Sequence, residues 1–293
     1  TIEIVQPILE NISNLNAGED FLLGYSPERI DPGNKEWTFK NTPKIVSGIN
    51  KKSLEKISKF YKSIIDEVIE VSGTREAEMV KLIENTYRQV NIAMVNELAI
   101  LSNMLDIDIW EVIEAAKTKP FGFQSFRPGP GVGGHCIPID PKYLSFKTRQ
   151  IGQPVRFVEL AQEINNSMPN YVVSRVSELM NKKEILLKNS KILILGVAYK
   201  KDISDTRESP AIDIVEALLE KSADVSFYDP FVEELLVNKT SIIKEKNIKN
   251  FSNYDLILIH TPHSDFQNIN FNEITSLIFD STGSFTITNV ERI

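Results

Sequence analysis

The sequence predicts an α/β protein, and three features of its pattern support this fold class. Short apolar runs typical of buried strands recur along the chain, for example at residues 191–196 and 254–260. Segments with helical periodicity separate them, as in proteins whose parallel sheet is covered on both faces. A helical pattern without Pro or Gly fills residues 75–104 and divides an early α/β segment from a later one. We therefore expect three regions, at residues 1–73, 74–184 and 185–293.

The composition is that of an ordinary globular protein, with 42% hydrophobic and 25% charged residues among 293. The net charge of -7 and the lack of a concentrated basic stripe argue against a nucleic-acid partner. No apolar run approaches the roughly 20 residues of a membrane span, and no signal peptide opens the sequence. One cysteine and three histidines argue against a disulfide and against a dedicated zinc site. We expect a cytoplasmic protein without a metal.

The first region alternates helix and strand. Residues 21–26 (FLLGYS) predict a buried strand that ends at Pro27. Residues 43–48 predict another short strand, residues 52–65 an amphipathic helix and residues 67–71 a third strand. Glu28 directly follows the first strand, and ligands of open α/β sheets bind beyond the carboxyl ends of strands. Glu28 is therefore a candidate functional carboxylate, although a surface glutamate at this place is equally ordinary.

The long helical pattern carries a row of polar side chains. Thr74 stands where a helix cap is expected. Lys81, Asn85 and Arg88 follow at i, i+4 and i+7, so they share one face. An ammonium, an amide and a guanidinium on one face can stabilise an oxyanion, but a solvated helix face has the same pattern. A helix of this length more often links domains or pairs with a second subunit.

The segment at residues 128–140 (PGPGVGGHCIPID) gives the strongest functional signal. Residues 128–134 contain four glycines and two prolines, and glycine lets backbone N–H groups approach a ligand closely. The sole cysteine, Cys136, is presented by this loop, and we interpret it as a catalytic nucleophile rather than a small core residue. His135 could pair with the thiol as a base or could simply shape the loop.

Further elements are predicted on both sides of this segment. Residues 108–117 predict a short helix, and residues 155–184 a longer one that Pro169 breaks. The pattern of the last region predicts strands at 191–196, 224–228, 254–260 and 277–280, a helix at 210–221 and a turn at Asp229-Pro230.

The first turn of the last region contains a single glycine, Gly196. The G-x-G-x-x-G fingerprint is thus absent, which argues against a standard NAD site in this region. Lys200, Lys201 and Arg207 precede the helix that begins near Ser209-Pro210, and they could hold phosphate groups there. A solvated basic cluster explains these three residues equally well.

Together, four segments resemble the UDP-glucose/GDP-mannose dehydrogenase family. They follow the family's order and spread over nearly the whole chain. The matching segments are Tyr25-Ser-Pro-Glu-Arg29, the Lys81…Asn85 helix, Gly131-x-Gly-Gly-x-Cys136-x-Pro-x-Asp140, and Gly196-x-Ala-Tyr-Lys200…Asp205-x-Arg207-Glu-Ser-Pro210.

The resemblance implies a remnant of an N-terminal Rossmann-like NAD domain, a central long-helix region, and a C-terminal Rossmann-like parallel-sheet domain for the nucleotide sugar. The chain begins without Met, in a helical pattern. By this resemblance it starts inside the first domain, and the strand, Gly-rich turn and helix that would bind the NAD pyrophosphate belong to an earlier part of that domain, which the sequence does not contain. The resemblance also implies a homodimer formed through the long helix.

Within the family, the resemblance points to enzymes that act on UDP-N-acetylglucosamine or UDP-N-acetylmannosamine to make surface-polysaccharide precursors. The segments 87–91, 119–122 and 134–144 carry it. Ile139 stands where UDP-glucose enzymes usually have a lysine, and Thr282 stands where the family often has an arginine. The hexose itself remains open, with UDP-glucose as the alternative.

The family oxidises the C6 hydroxymethyl group of the sugar to a carboxylate with two NAD. By resemblance, Cys136 forms a thiohemiacetal and then a thioester, which water hydrolyses. The remaining roles are also implied by resemblance. For the chemistry, they are oxyanion stabilisation by Lys81 and Asn85, orientation of water by Asp140 and general-base catalysis by Glu28. For the substrate, they are sugar contacts by Arg88, Asn91 and Gly133 and binding of uridine diphosphate by Tyr199 and Lys200. For the cofactor, they are a contact by Glu28 and contact with the NAD phosphates by Arg207.

Two other functions remain compatible with the residues. The polypeptide could bind a nucleotide sugar without oxidising it, as an inactive truncated form. A cysteine hydrolase or acyl transferase that uses Cys136 and His135 is the second alternative. The pairing of Lys81 with Asn85 argues against that hydrolase, because neither side chain is a base for a thiol at its ordinary pKa.

Overall fold

The computed structural model describes residues 1–31, 33–134, 137–246, 248, 251–288 and 290–293. The chain divides into two compact units, Thr1–Asn85 and Thr86–Ile293. Helix α3 (Thr74–Met104) contributes residues to both of them. In the part of the chain that the structure describes, no helix is long and apolar enough to cross a membrane. The three-region division expected from the sequence stays a prediction.

The first unit is a small mixed sheet with helices. Its central strand is buried along its whole length and pairs with an antiparallel and a parallel neighbour. The Asn50 side chain caps the following helix by accepting the backbone N–H of Ser53 at 2.8 Å. Its elements are α1 (Val5–Ser13), β1 (Gly24–Tyr25), β2 (Lys44–Gly48), α2 (Lys51–Lys62), β3 (Val68–Glu70) and the start of α3, with the strand order β1-β2-β3.

Two local predictions for this unit were wrong. Residues 21–26 do not form a buried strand, since β1 has two half-buried residues and pairs at the sheet edge. Thr74 does not cap α3: it is the first helical residue, and its buried Oγ1 has no hydrogen-bond partner among the residues that the structure describes. The Gly73 carbonyl accepts the N–H of Ala77 instead, so Gly73 takes the position of the cap.

The second unit contains the parallel sheet expected for the last region. All strands of the order β10-β9-β8-β4-β5 run parallel. The elements that follow α3 are α4 (Ile109–Lys117), α5 (Asp140–Gln150), α6 (Arg156–Asn181), β4 (Lys191–Leu195), α7 (Pro210–Glu220), β5 (Asp224–Tyr228), β6 (Glu234–Val237), β7 (Thr240–Ile243), β8 (Leu256–Ile259), β9 (Leu277–Asp280) and β10 (Glu291–Arg292).

Both faces of this sheet are buried, as the continuous apolar strands predict. Along β4, Ile192 and Ile194 pack into a core that helices α6 and α7 also line. Leu193 and Leu195 point to the opposite face, because side chains alternate along a strand. Short 3-10 turns and loops cover that second face, with Phe266 and Phe271 in its core.

Helix α6 runs unbroken through Pro169, contrary to the sequence-based expectation. Pro169 has no N–H, so the carbonyl of Asn165 lacks its usual helical donor, a cost of about 3 kcal/mol. The flanking residues Met168 and Val172 are fully buried in the core. We attribute the continuity of α6 to this packing, which outweighs the loss of one backbone hydrogen bond.

Candidate active site

Glu28 and Lys44 form an ion pair in the first unit. The Glu28 Oε2 lies 3.2 Å from the Lys44 Nζ, and its Oε1 accepts the backbone N–H groups of Arg29 and Ile30 at 2.8 Å each. Partial burial pushes the pKa of Glu28 upward, but these hydrogen bonds and the Lys44 ammonium outweigh it and lower the pKa. The carboxylate is therefore ionised at neutral pH and able to accept a proton.

Lys44 was not foreseen from the sequence. Its side chain is 8% exposed, and its ammonium lies 5.8 Å from the ring centre of Phe39 and 5.5 Å from that of Tyr61. A lysine at the start of an otherwise apolar strand was the available signal, since a buried ammonium requires a partner. The partner is Glu28.

Arg29 connects this carboxylate to helix α3. Its guanidinium contacts Glu84 through two hydrogen bonds, of 2.6 Å and 3.2 Å, and donates to the Pro43 carbonyl at 2.6 Å. Glu84 directly precedes Asn85 on α3, one turn from Lys81. Lys81 and Asn85 are both half-buried. The structure thus brings Glu28 and the part of α3 with these two candidates into one unit.

The candidate sugar contacts on α3 belong to the second unit. Arg88 is exposed, and the Asn91 side-chain amide donates to the Tyr87 carbonyl at 2.7 Å. The Tyr87 hydroxyl donates to the side-chain oxygen of Gln124, at 2.9 Å. Asn91 is therefore held against its own helix.

The glycines of the 128–134 segment allow contact with another loop of the protein. A Cβ on Gly133 would lie 2.7 Å from the Tyr199 Cβ and 2.8 Å from the Glu208 carbonyl oxygen. Gly134 adopts φ +87° and donates its N–H to the Arg207 carbonyl at 3.2 Å. These glycines are required for close packing on the 199–208 loop, a role that the sequence interpretation did not include.

A buried amide pair holds the start of the same segment. The Asn96 Oδ1 accepts the N–H of Gly129 at 2.9 Å, and the Asn96 amide donates to the Asn165 Oδ1 at 3.0 Å. The Asn165 amide in turn donates to the Gln89 carbonyl at 3.2 Å. Both asparagines are almost fully buried. The sequence shows them only as polar residues within helical apolar patterns, so their partners were not foreseen.

Asp140 begins helix α5 and is half-buried. A carboxylate in a first turn is stabilised by the helix dipole. Cys136, the proposed nucleophile, and its neighbour His135 lie outside the described residues. Among the residues that are described, no group of three or more His, Cys, Asp or Glu side chains could hold a metal ion.

A cavity of about 160 Å³ lies between the glycine segment and the carboxyl ends of the parallel strands. Tyr199 and Lys200, the candidate nucleotide contacts, line it and are half-buried. We call it the nucleotide cavity; its lining residues are Pro130, Gly131, Gly133, Tyr199, Lys200, Lys201, Pro210, His260, Thr261, Pro262 and Thr282.

The candidate Arg207 and the residue Thr282, which stands where the family often has an arginine, both have intramolecular partners. The Arg207 Nε and Nη2 donate to the Asp205 carboxylate at 2.6 to 3.1 Å, although the side chain is 68% exposed. At the end of β9, Asp280 accepts the N–H groups of Thr282 and Gly283 and the Thr282 hydroxyl, at 2.9 to 3.0 Å. Thr282 thus closes a turn on Asp280.

The second unit does not fit NAD in the manner of a dinucleotide-binding sheet. In such sheets, the strand beside the one that leads into the glycine turn is followed by an acidic residue, and this residue binds the ribose hydroxyls. Asp229 has this position after β5, but it is fully buried and accepts four backbone N–H groups. Gly196, with φ +77°, faces the Thr261 carbonyl, which would lie 2.2 Å from an added Cβ. The described residues of this unit therefore offer no ribose acceptor for NAD at this position.

Comparison with protein families agrees with this geometry. The model of the UDP-glucose/GDP-mannose dehydrogenase central domain matches residues 75–167. That of the same family's UDP binding domain matches residues 193–290, which include most of the lining of the nucleotide cavity. The chain belongs to the UDP-glucose/GDP-mannose dehydrogenase family. The resemblance found in the sequence motifs and the predicted fold class are thereby confirmed.

Individual members of this family are similar over nearly the whole chain. A UDP-N-acetyl-D-glucosamine 6-dehydrogenase from Pseudomonas aeruginosa is 37% identical over 94% of the chain and 65% of its own length. A UDP-N-acetyl-D-mannosamine dehydrogenase from Methanococcus aeolicus is 37% identical over 93% of the chain and 59% of its own length. The chain therefore spans about three fifths to two thirds of these relatives.

A solved structure shows the same relationship in three dimensions. The UDP-D-ManNAc dehydrogenase from Pyrococcus horikoshii superimposes with a TM-score of 0.86 at 31% identity. The superposition covers 98% of this chain and 68% of that protein.

Proposed function

We propose that the protein oxidises the C6 hydroxymethyl group of a UDP-N-acetylhexosamine to the carboxylate, with NAD as the electron acceptor. One observation carries the proposal. The glycine segment that leads to Cys136 lines the same cavity as Tyr199 and Lys200, on a domain of the UDP-binding type. A nucleotide in this cavity would thus lie beside the segment that carries the nucleophile.

Cys136 has the central chemical role in this proposal. Between the two oxidations, its thiolate bonds to the C6 aldehyde and holds it as a thiohemiacetal. The second oxidation gives a thioester, and water then cleaves the carbon–sulfur bond so that the thiolate returns. The second unit offers no ribose acceptor at the position of Asp229, so NAD is proposed from family membership alone; when bound, it would supply the hydride acceptor for both oxidations.

Other polar side chains supply the remaining chemistry. Lys81 and Asn85 donate hydrogen bonds to the oxyanion that forms at C6, an interaction worth about 3 kcal/mol per donor. Glu28 accepts a proton from the attacking water, which is supported by its ionised state beside Lys44. Asp140 orients this water. The sugar is contacted by Arg88, Asn91 and Gly133, and Arg207 would contact the phosphates of a bound cofactor.

We also propose the substrates, the oligomeric state and the cellular role of the protein. UDP-N-acetylglucosamine and UDP-N-acetylmannosamine are the favoured substrates because the relatives with these activities match almost the whole chain. The protein acts as a homodimer joined through α3, in the cytoplasm, to supply surface-polysaccharide precursors. This assembly is supported by exposed apolar side chains on α3, such as Met94, Leu98 and Leu101.

A panel of UDP-sugars with NAD tests the function in the full-length protein. We expect two NADH per sugar with an N-acetylhexosamine substrate and a lower turnover with UDP-glucose. Cys136→Ser should abolish uronate formation, measured by mass spectrometry of the product. Uronate formation at the wild-type rate by Cys136→Ser would exclude the covalent mechanism.

The misfit to NAD favours a second candidate for the isolated 293-residue chain, namely binding without oxidation. Calorimetry with UDP and a parallel assay for NADH distinguish the two. UDP binding without NADH formation supports the binding function for the isolated chain, and NADH formation contradicts it.

A further inference from the structure

His263 is a buried histidine to which neither the sequence motifs nor the proposed chemistry assigns a role. It follows strand β8 and is fully inaccessible to solvent. Its ring packs against Phe231 and Phe266, at centroid distances of 5.1 Å and 5.5 Å. A polar ring in such surroundings needs partners for both of its nitrogens.

Both ring nitrogens of His263 have partners, and together they define its tautomer. The Nδ1 accepts the backbone N–H of Asp202 at 2.9 Å, so this nitrogen carries no proton. The Nε2 lies 2.9 Å from the Asp229 Oδ2 and donates its hydrogen to that carboxylate. The His263 ring therefore accepts a hydrogen bond on one side and donates one on the other.

Asp229 fixes the ring from the donor side. Its Oδ2 also accepts the N–H groups of Val197 and Ala198, at 2.7 Å and 3.2 Å. Its Oδ1 accepts those of Phe231 and Val232, at 2.8 Å and 3.2 Å. With this many backbone contacts, the carboxylate is a rigid support at the ends of β4 and β5.

Asp202 connects the His263 ring to the loop that lines the nucleotide cavity. It follows Lys201 in the loop that lines one wall, and it adopts φ +60°, a left-handed conformation that is uncommon for residues other than glycine. Its carboxylate accepts the N–H and hydroxyl of Ser264, at 2.7 Å and 2.6 Å. Pro262, directly before His263, lines another part of the wall.

We infer that His263 is a positioning residue of the nucleotide cavity: its Nδ1 holds the Asp202 N–H and thereby fixes the loop that carries Tyr199, Lys200 and Lys201. His263 does not contact the ligand. The inference rests on the proposed function only for the identity of that ligand, a nucleoside diphosphate. The contact with Asp202, rather than the presence of a ring, is the functional element.

Two substitutions separate the two nitrogens. The side-chain oxygen of asparagine occupies the place of the histidine Nδ1, so His263→Asn keeps an acceptor for the Asp202 N–H. The side-chain amide of glutamine occupies the place of the Nε2, so His263→Gln keeps the donor to Asp229 and loses that acceptor. Each variant is thus the control for the other.

Amide hydrogen exchange of the 199–205 loop and calorimetry with UDP form the test. We expect His263→Gln to increase the loop exchange rate and to weaken UDP binding about tenfold, because the Asp202 N–H loses its acceptor. His263→Asn should stay near wild type in both measurements. Unchanged protection of β4, β5 and β8 in both variants shows that the sheet is intact.

Equal loop exchange in the glutamine variant and the wild type overturns the inference, whatever the UDP result. Failure of the wild type to bind UDP contradicts the proposed function instead, and the loop exchange still decides the role of His263. If His263→Gln does not fold, His263→Asn decides alone. Wild-type loop protection in that variant supports the role, and fast exchange with an intact sheet excludes it.

Discussion

Arg29 and Glu84 are joined by two hydrogen bonds, of 2.6 Å and 3.2 Å, between a loop and helix α3. The loop residue follows Glu28, and the helix residue precedes Asn85. A guanidinium and a carboxylate that meet in this two-point geometry define distance and orientation together. The pair therefore holds the candidate base and the candidate oxyanion donors within one unit.

Arg29→Lys tests the geometry of this pair. Lysine keeps the charge but cannot form the fork, so we expect a loss of about 1 kcal/mol in the free energy of unfolding. Arg75→Lys is the matched control, because the Arg75 side chain is 70% exposed and its Nη2 lies 3.3 Å from the Glu3 Oε1. Denaturant titration measures both. Equal effects of the two substitutions would contradict a special role for the fork.

Asp229→Asn should change how stability depends on pH. Burial pushes the pKa of Asp229 upward, but hydrogen bonds from His263 and from the N–H groups of Val197 and Phe231 outweigh it and lower the pKa. Because the folded pKa lies below the unfolded one, the stabilisation is present above the unfolded pKa and is lost as pH falls through the folded value.

We therefore expect Asp229→Asn to cost about 3 kcal/mol at neutral pH. The difference from wild type should shrink as the pH falls below about 4. Thermal unfolding across this pH range provides the measurement. Asp224→Asn, at the exposed start of strand β5, which Asp229 follows, should leave the profile unchanged. A pH-independent difference for Asp229→Asn would argue against the ionised carboxylate as its cause.

Gly133→Ala should disturb the nucleotide cavity. The added Cβ would meet the Tyr199 Cβ at 2.7 Å and the Glu208 carbonyl at 2.8 Å, so the two loops must separate. We expect UDP affinity to fall about tenfold, as a cost of roughly 1.4 kcal/mol implies. Gly129→Ala is the control, since a Cβ there meets nothing within 4 Å. If both variants bind UDP as the wild type does, the packing is not required.

Asn96→Ala should loosen the start of the glycine segment. It removes the acceptor of the Gly129 N–H and the donor to the Asn165 Oδ1 in a buried place. We expect a loss of about 2 kcal/mol in the free energy of unfolding, with faster amide exchange at Gly129. The exposed Asn103, later on the same helix, supplies the control substitution to alanine. Wild-type exchange at Gly129 would rule out this role.

Lys81→Met tests oxyanion stabilisation in the full-length protein. Loss of one donor to a developing oxyanion should lower kcat by about a hundredfold to a thousandfold. Asn85→Ala should act similarly. Lys51→Met is the control because the Lys51 side chain is 90% exposed on α2. Steady-state kinetics distinguish this from a binding defect, since KM should change little. A pure KM effect would assign Lys81 to substrate binding.

Elements with strong local signals were predictable. Helix α3 lacks Pro and Gly along its length, and strands β4 and β8 are continuous apolar runs. The hairpin of β6 and β7 was missed, although its turn at Asn238 and Lys239 has positive φ at both residues. Asn favours such a turn, but the lysine in its second position hid the signal.

By itself, the sequence determined the fold class, the family motifs and the candidate residues, because periodicity and glycine spacing are local properties. The tertiary structure alone decided the partners of those residues. Glu28 and Lys44 are 16 residues apart, Asn96 and Gly129 33, and Asp229 and His263 34. Contacts over such separations depend on how strands and loops pack, and no spacing rule encodes them. The supports of the site therefore became visible only in the folded chain.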